Sequence, residues 1–306
     1  MKSFSSNKVL VTGGAGFIGS HTVDKLIELG YDVVVIDDLS TGLIENIHPR
    51  AEFHKIDLGE VSVKILAEMI KNIKYIFHLA AIPRIMYCIE NPKECHKANV
   101  EGTINLLEAC RRNNNLEKFI LASTCCVYGD PLKLPINEEE PIKPTTPYAA
   151  QKYMQEMYAR IYSKLYGIPS VILRYFTVYG TKRQSEKGSY PNVLAYFSRQ
   201  KREENRVYVT GDGKQTRDFI HVFDVVKANI KAMKSNFKNG EAFNIGTGVP
   251  IEINKVAEYF KCKIVHISER PAETKHIYAD TKKAEKLLNW KYKIPFEEGI
   301  KNYLGL

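Results

Sequence analysis

Tyr148 and Lys152 are the residues of this sequence best suited to proton transfer. Their i,i+4 spacing near the start of a predicted helix places both side chains on one helix face, a turn apart. An ammonium beside a phenol stabilises the phenolate and lowers the phenol pKa from about 10 towards the working pH. Such a tyrosine can remove or return a substrate hydroxyl proton during hydride transfer. Pro147, directly before the tyrosine, suits a helix start.

A second hydroxyl lies upstream of this pair. The run Ser-Thr-Cys-Cys-Val-Tyr-Gly (123–129) ends the fifth predicted strand. Thr124 can hydrogen-bond a substrate hydroxyl and align it with Tyr148, and Ser123 is the rival hydroxyl. Because the tyrosine–lysine spacing recurs elsewhere in the chain, this context carries the prediction. The predicted catalytic residues are Thr124, Tyr148 and Lys152.

A glycine-rich turn near the start of the chain has the spacing of a dinucleotide-binding motif. Gly13, Gly16 and Gly19 lie between a predicted strand and helix, where they allow a tight turn, close approach to a pyrophosphate and close helix packing. Asp37 lies 18 residues further on, where a carboxylate accepts hydrogen bonds from the adenosine ribose. This carboxylate would repel a 2′-phosphate, and residues 38–49 contain no lysine or arginine, so NAD is favoured over NADP.

The elements that must position these groups alternate between strands and helices. The predicted strands are 8–11, 32–36, 52–56, 75–79, 119–122 and 170–174, and the predicted helices between them are 18–29, 64–71, 100–112 and 149–166. This alternation predicts an α/β fold with a Rossmann-type, doubly wound parallel sheet. Ligands of such sheets bind in the crevice at the carboxyl ends of the strands.

The second half of the chain is less regular. Helices are predicted at 191–202, 225–233, 253–260 and 281–288, strands at 207–209 and 219–222, and turns at 211–213 and 239–240. We expect residues 1–176, together with about 211–235, to form the dinucleotide-binding domain. Residues 177–306 are expected to form mainly a smaller α/β lobe that binds the substrate.

Composition narrows the class of protein further. The chain has 306 residues, of which 44% are hydrophobic and 26% charged, which is typical of a globular protein. The sequence has no apolar run long enough for a membrane span, no signal-peptide pattern and no metal-type cysteine spacing, so we expect a cytoplasmic protein without a metal. Residues 1–150 carry a net charge of −3 and residues 151–306 a net charge of +12, which favours an anionic partner. The basic residues form no long run, so a phosphorylated small molecule is favoured over nucleic acid.

These motifs resemble the extended short-chain dehydrogenase/reductases, the family of NAD-dependent nucleotide-sugar epimerases and dehydratases, over nearly the whole chain. The segments that carry the resemblance are residues 11–20, Asp37-Asp38-Leu39-Ser40-Thr41-Gly42, Asp57-Leu58, His78-Leu79-Ala80-Ala81, Asn99, residues 123–129, Tyr148 with Lys152, Leu173-Arg174-Tyr175-Phe176, residues 211–222, Asn244-Ile245-Gly246-Thr247-Gly248, Arg270-Pro271 and Ala279-Asp280.

The resemblance implies two sets of binding residues. The implied NAD-binding residues are Gly13, Gly16, Phe17, Ile18, Gly19, Asp37, Asp38, Leu39, Ser40, Thr41, Gly42, Asp57, Leu58, Leu79, Ala80, Ala81, Asn99, Tyr148, Lys152 and Phe176. The implied substrate-binding residues are Arg84, Thr124, Tyr148, Thr177, Asn192, Val193, Val207, Tyr208, Arg217, Arg270 and Ile277. Of these, Asn192, Arg217 and Arg270 would hold a diphosphate, which suits charge-assisted arginine contacts.

Within the family, the sequence resembles the UDP-sugar 4-epimerases. Dehydratases and decarboxylases of the family use an acidic residue just after the catalytic hydroxyl, where this chain has Cys125-Cys126. Fucose-type epimerase/reductases share Cys126 but have histidine at the position of Asn192 and prefer NADP. The alternatives are a UDP-glucuronate-type epimerase or another nucleotide-sugar dehydratase or decarboxylase. A more distant alternative is a non-catalytic NAD-binding sensor or RNA-binding relative.

Sugar choice depends on Ile277, which matches a position where a bulky tyrosine excludes N-acetyl groups and a small residue admits them. We therefore expect UDP-GlcNAc and UDP-GalNAc, and/or UDP-glucose and UDP-galactose, as substrates. Thr177 stands where the family usually has asparagine, and the loop 83–88 departs from the commoner small, polar pattern, which leaves a modified or larger hexose open. The resemblance also implies a homodimer formed through the helices around residues 92–112 and 149–166.

Overall fold

The computed structural model describes residues 7–184, 192–269 and 274–306. Its strands are β1 (Lys8–Thr12), β2 (Asp32–Asp37), β3 (Glu52–Lys55), β4 (Tyr75–His78), β5 (Lys118–Thr124), β6 (Ser170–Tyr175), β7 (Thr177–Tyr179), β8 (Arg206–Thr210), β9 (Thr216–His221), β10 (Asn239–Ile245), β11 (Pro250–Glu252), β12 (Lys263–Ile267) and β13 (His276–Ile277). Its α-helices are α1 (Phe17–Glu28), α2 (Val63–Ile70), α3 (Ile85–Glu90), α4 (Pro92–His96), α5 (Gly102–Cys110), α6 (Pro147–Tyr166), α7 (Val193–Glu204), α8 (Val222–Met233), α9 (Ile253–Glu258), α10 (Lys282–Leu288) and α11 (Phe296–Leu304).

Seven parallel strands form the central sheet, in the order β10-β6-β5-β4-β1-β2-β3. Helices α1 and α8 pack on one face, and α2, α5 and α6 pack on the other. Because both faces are covered, the central strands are apolar along most of their length, and all seven residues of β5 are buried. The predicted Rossmann-type α/β fold is confirmed.

The second lobe has its own small sheets and core. Strand β9 pairs with β7, β11 and β13, while β8 pairs with β12. The apolar residues of α7, α9 and α11 close this core, which includes Phe197, Phe260 and Phe296. The lobe therefore lies beside the carboxyl ends of the large sheet through β7, which follows β6 after a single residue.

The chain returns to the first lobe after β9. Strand β9, within residues 211–221, pairs only with strands of the second lobe among the described residues, although its Ile220 packs into the core of the first lobe. The segment that returns runs from Val222 to Ile245, where α8 packs against α1 and β10 pairs with β6. Ala284, Leu288 and Trp290, in and after α10, also pack into the core of the first lobe. We propose that the first lobe takes up the chain again mainly at 222–245 and α10, whereas about 211–235 is the range predicted from the sequence.

Two helix starts place the predicted site residues. At α1, Gly13 adopts φ +73°, and a Cβ on Gly19 would lie 2.0 Å from the carbonyl oxygen of Gly13, so both positions require glycine. At α6, the Thr146 hydroxyl accepts a hydrogen bond from the Ala149 amide at 3.2 Å, and Pro147 occupies the first turn. Both helices therefore begin beside the carboxyl ends of the sheet.

A buried ion pair connects α6 to the central sheet, one turn after the predicted catalytic residues of that helix. Arg174 of β6 donates to Glu156 of α6 through Nε at 2.9 Å and Nη2 at 2.7 Å. The Ser123 hydroxyl also donates to Glu156, and the Tyr128 hydroxyl accepts from Arg174 at 2.8 Å. Glu156 is fully buried and Arg174 is 3% exposed, so the pair fixes α6 against β5 and β6. Across the described ranges, no helix is both long and apolar enough to cross a membrane.

Candidate active site

Two cavities meet at the carboxyl ends of the central strands. The first cavity runs along the glycine turn, the ends of β2 and β4 and the start of α6. The second cavity lies against the second lobe, between β8, β9, β13 and the start of α3. Asn192, at the start of α7, lines both cavities.

Most of the implied NAD-binding residues line the first cavity. These are Gly13, Gly16, Phe17, Ile18, Gly19, Asp37, Asp38, Ser40, Thr41, Asp57, Leu58, Leu79, Ala80, Ala81, Tyr148 and Lys152, and Arg84 joins them. Their order follows the sheet: the carboxylates lie at the β2 and β3 side, the glycine turn is central, and Tyr148 and Lys152 are at the β5 side. The cavity thus has the extended form that a dinucleotide needs.

Asp37 sits at the end of β2 and is 7% exposed. Its two carboxylate oxygens accept hydrogen bonds from the Ala15 and Leu39 amides, each at 2.9 Å. Burial raises the pKa of Asp37, and these two amide bonds oppose the increase. A carboxylate has about four acceptor positions, so Asp37 keeps capacity for ribose hydroxyls.

Thr124 lies between the two cavities, with Ser123 in the lining of the first and Cys125 in the lining of the second. The Thr124 hydroxyl lies close enough to the Tyr148 phenol to oppose the increase in its pKa, and the hydroxyl oxygen accepts from the Cys126 amide at 3.2 Å. Ser123 instead donates to Glu156 in the buried network. The geometry therefore favours Thr124 over Ser123 as the aligning hydroxyl.

Burial dominates the electrostatics of Tyr148 and Lys152. It raises the pKa of Tyr148, and the neighbouring Cys126 and Cys88 thiols add to the increase, while the hydrogen bond with Thr124 opposes it. Burial also lowers the pKa of Lys152 to about 7, against the attraction of Glu156. The lowering of the tyrosine pKa that the ammonium was expected to give therefore does not overcome the effect of burial.

His78 supports the wall behind this site. Its two ring nitrogens lie 2.7 Å from the Thr12 hydroxyl and 2.8 Å from the Thr103 hydroxyl. Burial lowers the pKa of His78 to about 3, so the ring is neutral at physiological pH. The Thr12 hydroxyl also accepts from the Ala80 amide at 3.3 Å, which fixes the chain where it borders the first cavity.

The second cavity contains most of the implied substrate residues. They are Thr177, Asn192, Val193, Tyr208, Arg217 and Ile277. Arg217 belongs to β9, and its Nη1 donates to the Thr216 carbonyl at 2.9 Å. Ile277 is 5% exposed and pairs with Arg217 across the β9–β13 ladder. A cation and an apolar side chain thus stand next to each other in this wall.

Some implied residues do not line either cavity. Asn99 is fully buried: its amide oxygen accepts from the Ile82 amide at 2.7 Å and its amide nitrogen donates to Gln151 at 2.9 Å, so it supports the wall from behind. Phe176 and Val207 are buried in hydrophobic clusters. Leu39 and Gly42 shape the loop around Asp37 instead. Arg270 lies outside the described residues.

The structure also adds lining residues that motif reasoning missed. In the second cavity these are Ile85, Met86, Cys125, Cys126, Thr145, Thr146, Tyr196, Phe197, Val209, Thr210, Gln215, Ile253 and Thr274. In the first cavity they include Arg183 and Gln184. None was among the predicted site residues, because they come from distant helices, strands and loops that only the fold brings together.

Comparison with known proteins agrees with this geometry. Residues 9–246 match the NAD dependent epimerase/dehydratase family. A Methanocaldococcus jannaschii relative is 44% identical over 97% of this chain and 97% of its own length. The structure of the Thermotoga maritima UDP-glucose 4-epimerase with UDP-glucose has a TM-score of 0.92 and 36% identity, covering 97% of both chains. The Methanobrevibacter ruminantium UDP-N-acetylglucosamine 4-epimerase, in complex with UDP-N-acetylmuramic acid, has a TM-score of 0.90 and 34% identity over 97% of both chains.

The chain therefore belongs to the NAD dependent epimerase/dehydratase family, as its motifs indicated. NAD is the cofactor, and the first cavity fits it. The glycine turn leaves space that side chains would fill, and buried Asp37 offers acceptors for ribose hydroxyls. Phe17 and Ile18 open α1 at the cavity, where unpaired amides favour a pyrophosphate.

Proposed function

We propose that this protein is an NAD-dependent UDP-sugar 4-epimerase. Its substrates are UDP-GlcNAc and UDP-GalNAc, and/or UDP-glucose and UDP-galactose. The observation that carries the proposal is the position of Tyr148 and Lys152 in the lining of the first cavity, with Thr124 beside Tyr148 and between Ser123 of the first lining and Cys125 of the second. A sugar hydroxyl that reaches this place from the second cavity can transfer its proton to Tyr148, which lines the first cavity.

Tyr148 removes the proton from the sugar 4-hydroxyl, and Thr124 holds that hydroxyl in line. NAD, when bound in the first cavity beside Tyr148 and Lys152, would supply a reversible hydride acceptor for C4 of the sugar. The phenolate and the Lys152 ammonium stabilise each other in this buried site, although burial disfavours each charge alone. After the sugar has turned to present its other face, Tyr148 returns the proton to the oxygen, which gives the C4 epimer.

The second cavity holds the nucleotide part of the substrate. Arg217 provides positive charge for the diphosphate, and Asn192 and Tyr208 stand in the same lining. The side nearer to Thr124 is built from thiols, hydroxyls and aliphatic groups, including Cys125, Cys126 and Ile277. Tight binding of the diphosphate together with few polar contacts to the sugar allows the sugar ring to rotate between the two hydride-transfer steps.

The lining of the second cavity favours an epimerase over a dehydratase or decarboxylase. Among the residues that the structure describes, this lining contains no aspartate or glutamate. Dehydration and decarboxylation require further proton transfers after oxidation, and the two positions after Thr124 are cysteines. The arrangement supports oxidation and reduction at one carbon.

Incubation with UDP-GlcNAc and, separately, UDP-glucose tests the proposal. Proton NMR of the anomeric region, without added NAD, is expected to show the C4 epimer at unchanged mass. In Ile277→Tyr, we expect kcat/KM for UDP-GlcNAc to fall about 10- to 100-fold relative to UDP-glucose, since the ring fills space beside the sugar. Ile267→Tyr, on exposed β12, is the control and should leave this ratio unchanged. A product of altered mass, or no product even with NAD added, would contradict the proposal.

We also propose a cytoplasmic homodimer. Along α6, the side chains of Met157, Ile161 and Leu165 are exposed, at spacings that place them on one face. Ile89 of α3 is exposed as well. Sedimentation velocity is expected to give a dimer for the wild type and a monomer for Ile161→Glu. A monomeric wild type at micromolar concentration would refute the dimer.

A further inference from the structure

Gln184 carries a buried side-chain amide in the lining of the first cavity. The residue is 5% exposed, and neither its Oε1 nor its Nε2 has a hydrogen-bond partner among the described residues. Buried side-chain amides are almost always bonded, because an unsatisfied amide loses its contacts with water without replacement. Gln184 also lines the first cavity. A ligand bound in the first cavity can supply the missing hydrogen-bond partner.

The segment that carries Gln184 is fastened to α1. Arg183 donates to the Asp24 carboxylate at 2.6 Å. The Thr181 hydroxyl lies 2.8 Å from Nε2 of His21. The backbone N–H of Gln184 donates to the Thr181 carbonyl at 3.1 Å. These contacts hold the backbone over the helix whose first turn borders the cavity. The side-chain amide of Gln184 is therefore attached to a backbone that these contacts hold in place.

The topology places this segment at the catalytic half of the cofactor. The adenosine half is marked by Asp37 and Asp57, which follow β2 and β3 on one side of β1. Gln184 follows β6, which lies on the other side of β1, and it lines the same cavity as Tyr175 and Val178. Tyr175 pairs with Thr124 in the β5–β6 ladder. Gln184 thus belongs with the nicotinamide half.

The chemistry of the amide selects one group in that half. A pyrophosphate can only accept hydrogen bonds, so it would leave Oε1 of Gln184 unsatisfied. The nicotinamide carboxamide presents a carbonyl acceptor and an amino donor side by side, which can satisfy both atoms. We propose that Gln184 pairs with the carboxamide of the nicotinamide and thereby sets which ring face meets the sugar. Gln184 is a positioning residue, and its role rests on NAD as the cofactor.

The first test uses a cofactor analogue. In 3-acetylpyridine adenine dinucleotide, a methyl group replaces the amino group of the carboxamide, so the donor to Oε1 is lost while the carbonyl remains. Competition against bound NAD on the purified holoenzyme measures the relative affinity, with no sugar present. We expect the wild type to bind the analogue about five- to tenfold more weakly than NAD. Equal affinities would overturn the proposal, whatever the enzyme does with sugars.

Two variants separate the amide pair from a general packing effect. Gln184→Met removes both polar atoms, and it should reduce the preference for NAD over the analogue to within twofold while leaving ADP-ribose affinity unchanged. Gln184→Glu keeps an acceptor for the amino group but repels the carbonyl, so it should increase the preference. Gln200→Met removes a buried glutamine of the second lobe, which accepts from the Tyr208 amide, and should leave the preference unaltered. Equal losses of NAD and ADP-ribose in Gln184→Met, or an unchanged preference in both Gln184 variants, would overturn the proposal.

Discussion

Replacing Tyr148 by phenylalanine is expected to lower kcat for epimerisation by about 1,000-fold, within the 100- to 10,000-fold range of general acid–base catalysis. The ring is almost completely buried, so phenylalanine fills the same space and the fold is retained. What is lost is the phenol that Thr124 contacts and that takes the 4-hydroxyl proton. Bound NAD per subunit and the KM for the UDP-sugar should change less than threefold.

The control for this variant is Tyr158→Phe on the same helix. Tyr158 packs with Tyr162, also of α6, on the face of the sheet that α2, α5 and α6 cover, and it lines neither cavity. Its kcat should stay within twofold of the wild type. If Tyr148→Phe keeps more than a tenth of the wild-type kcat, proton transfer must be assigned to another group.

Replacing Arg174 by methionine is expected to reduce the free energy of unfolding by about 3–5 kcal/mol. The change leaves the Glu156 carboxylate fully buried, with Arg160 at 3.1 Å as its remaining ion-pair partner among the described residues. Burial raises the pKa of Glu156, and the Arg174 guanidinium lowers it. Without Arg174, the buried Glu156 charge is therefore poorly compensated. Chemical denaturation monitored by circular dichroism measures the loss.

Arg160→Met is the matched control, because Arg160 contacts the same carboxylate. Its side chain is 35% exposed, and solvent screens its interaction, so we expect a loss of at most about 1 kcal/mol. Similar losses for the two variants would show that burial of Arg174 is not what makes its pair strong. The double variant should lose less than the sum of the two, because both act on Glu156.

Much of the first lobe follows from its sequence. Strands such as β1 and β2 are continuous apolar runs bounded by turn residues, and the helices between them have clear periodicity. Strand β10 was not predicted, because its start, Asn239-Gly240, has the composition of a turn, and only pairing with β6 makes it a strand. The short strands β7, β11 and β13 carry no periodic signal, since two or three residues complete no pattern.

The site divides in the same way. The glycine turn, Asp37, Tyr148 and Lys152 lie within local motifs, and the structure places all of them in the first cavity. Gln184 could not be found from spacing, because its importance depends on burial and on the lack of a partner among the described residues. The pKa of Tyr148 was expected to fall, but spacing does not report desolvation, which acts on the tyrosine and the lysine together.

The return of the chain to the first sheet has a consequence for synthesis on the ribosome. β6 is buried along its whole length, and one of its edges is covered by β10, which is made only after the part of the second lobe from β7 to β9. Until Ile245 has emerged, the nascent chain carries an apolar strand with an open edge, the kind of surface on which strands of other chains can pair. A chain stopped at residue 176 would carry that open edge permanently. The two lobes are therefore one unit of biosynthesis, in which the cofactor-binding sheet is completed late.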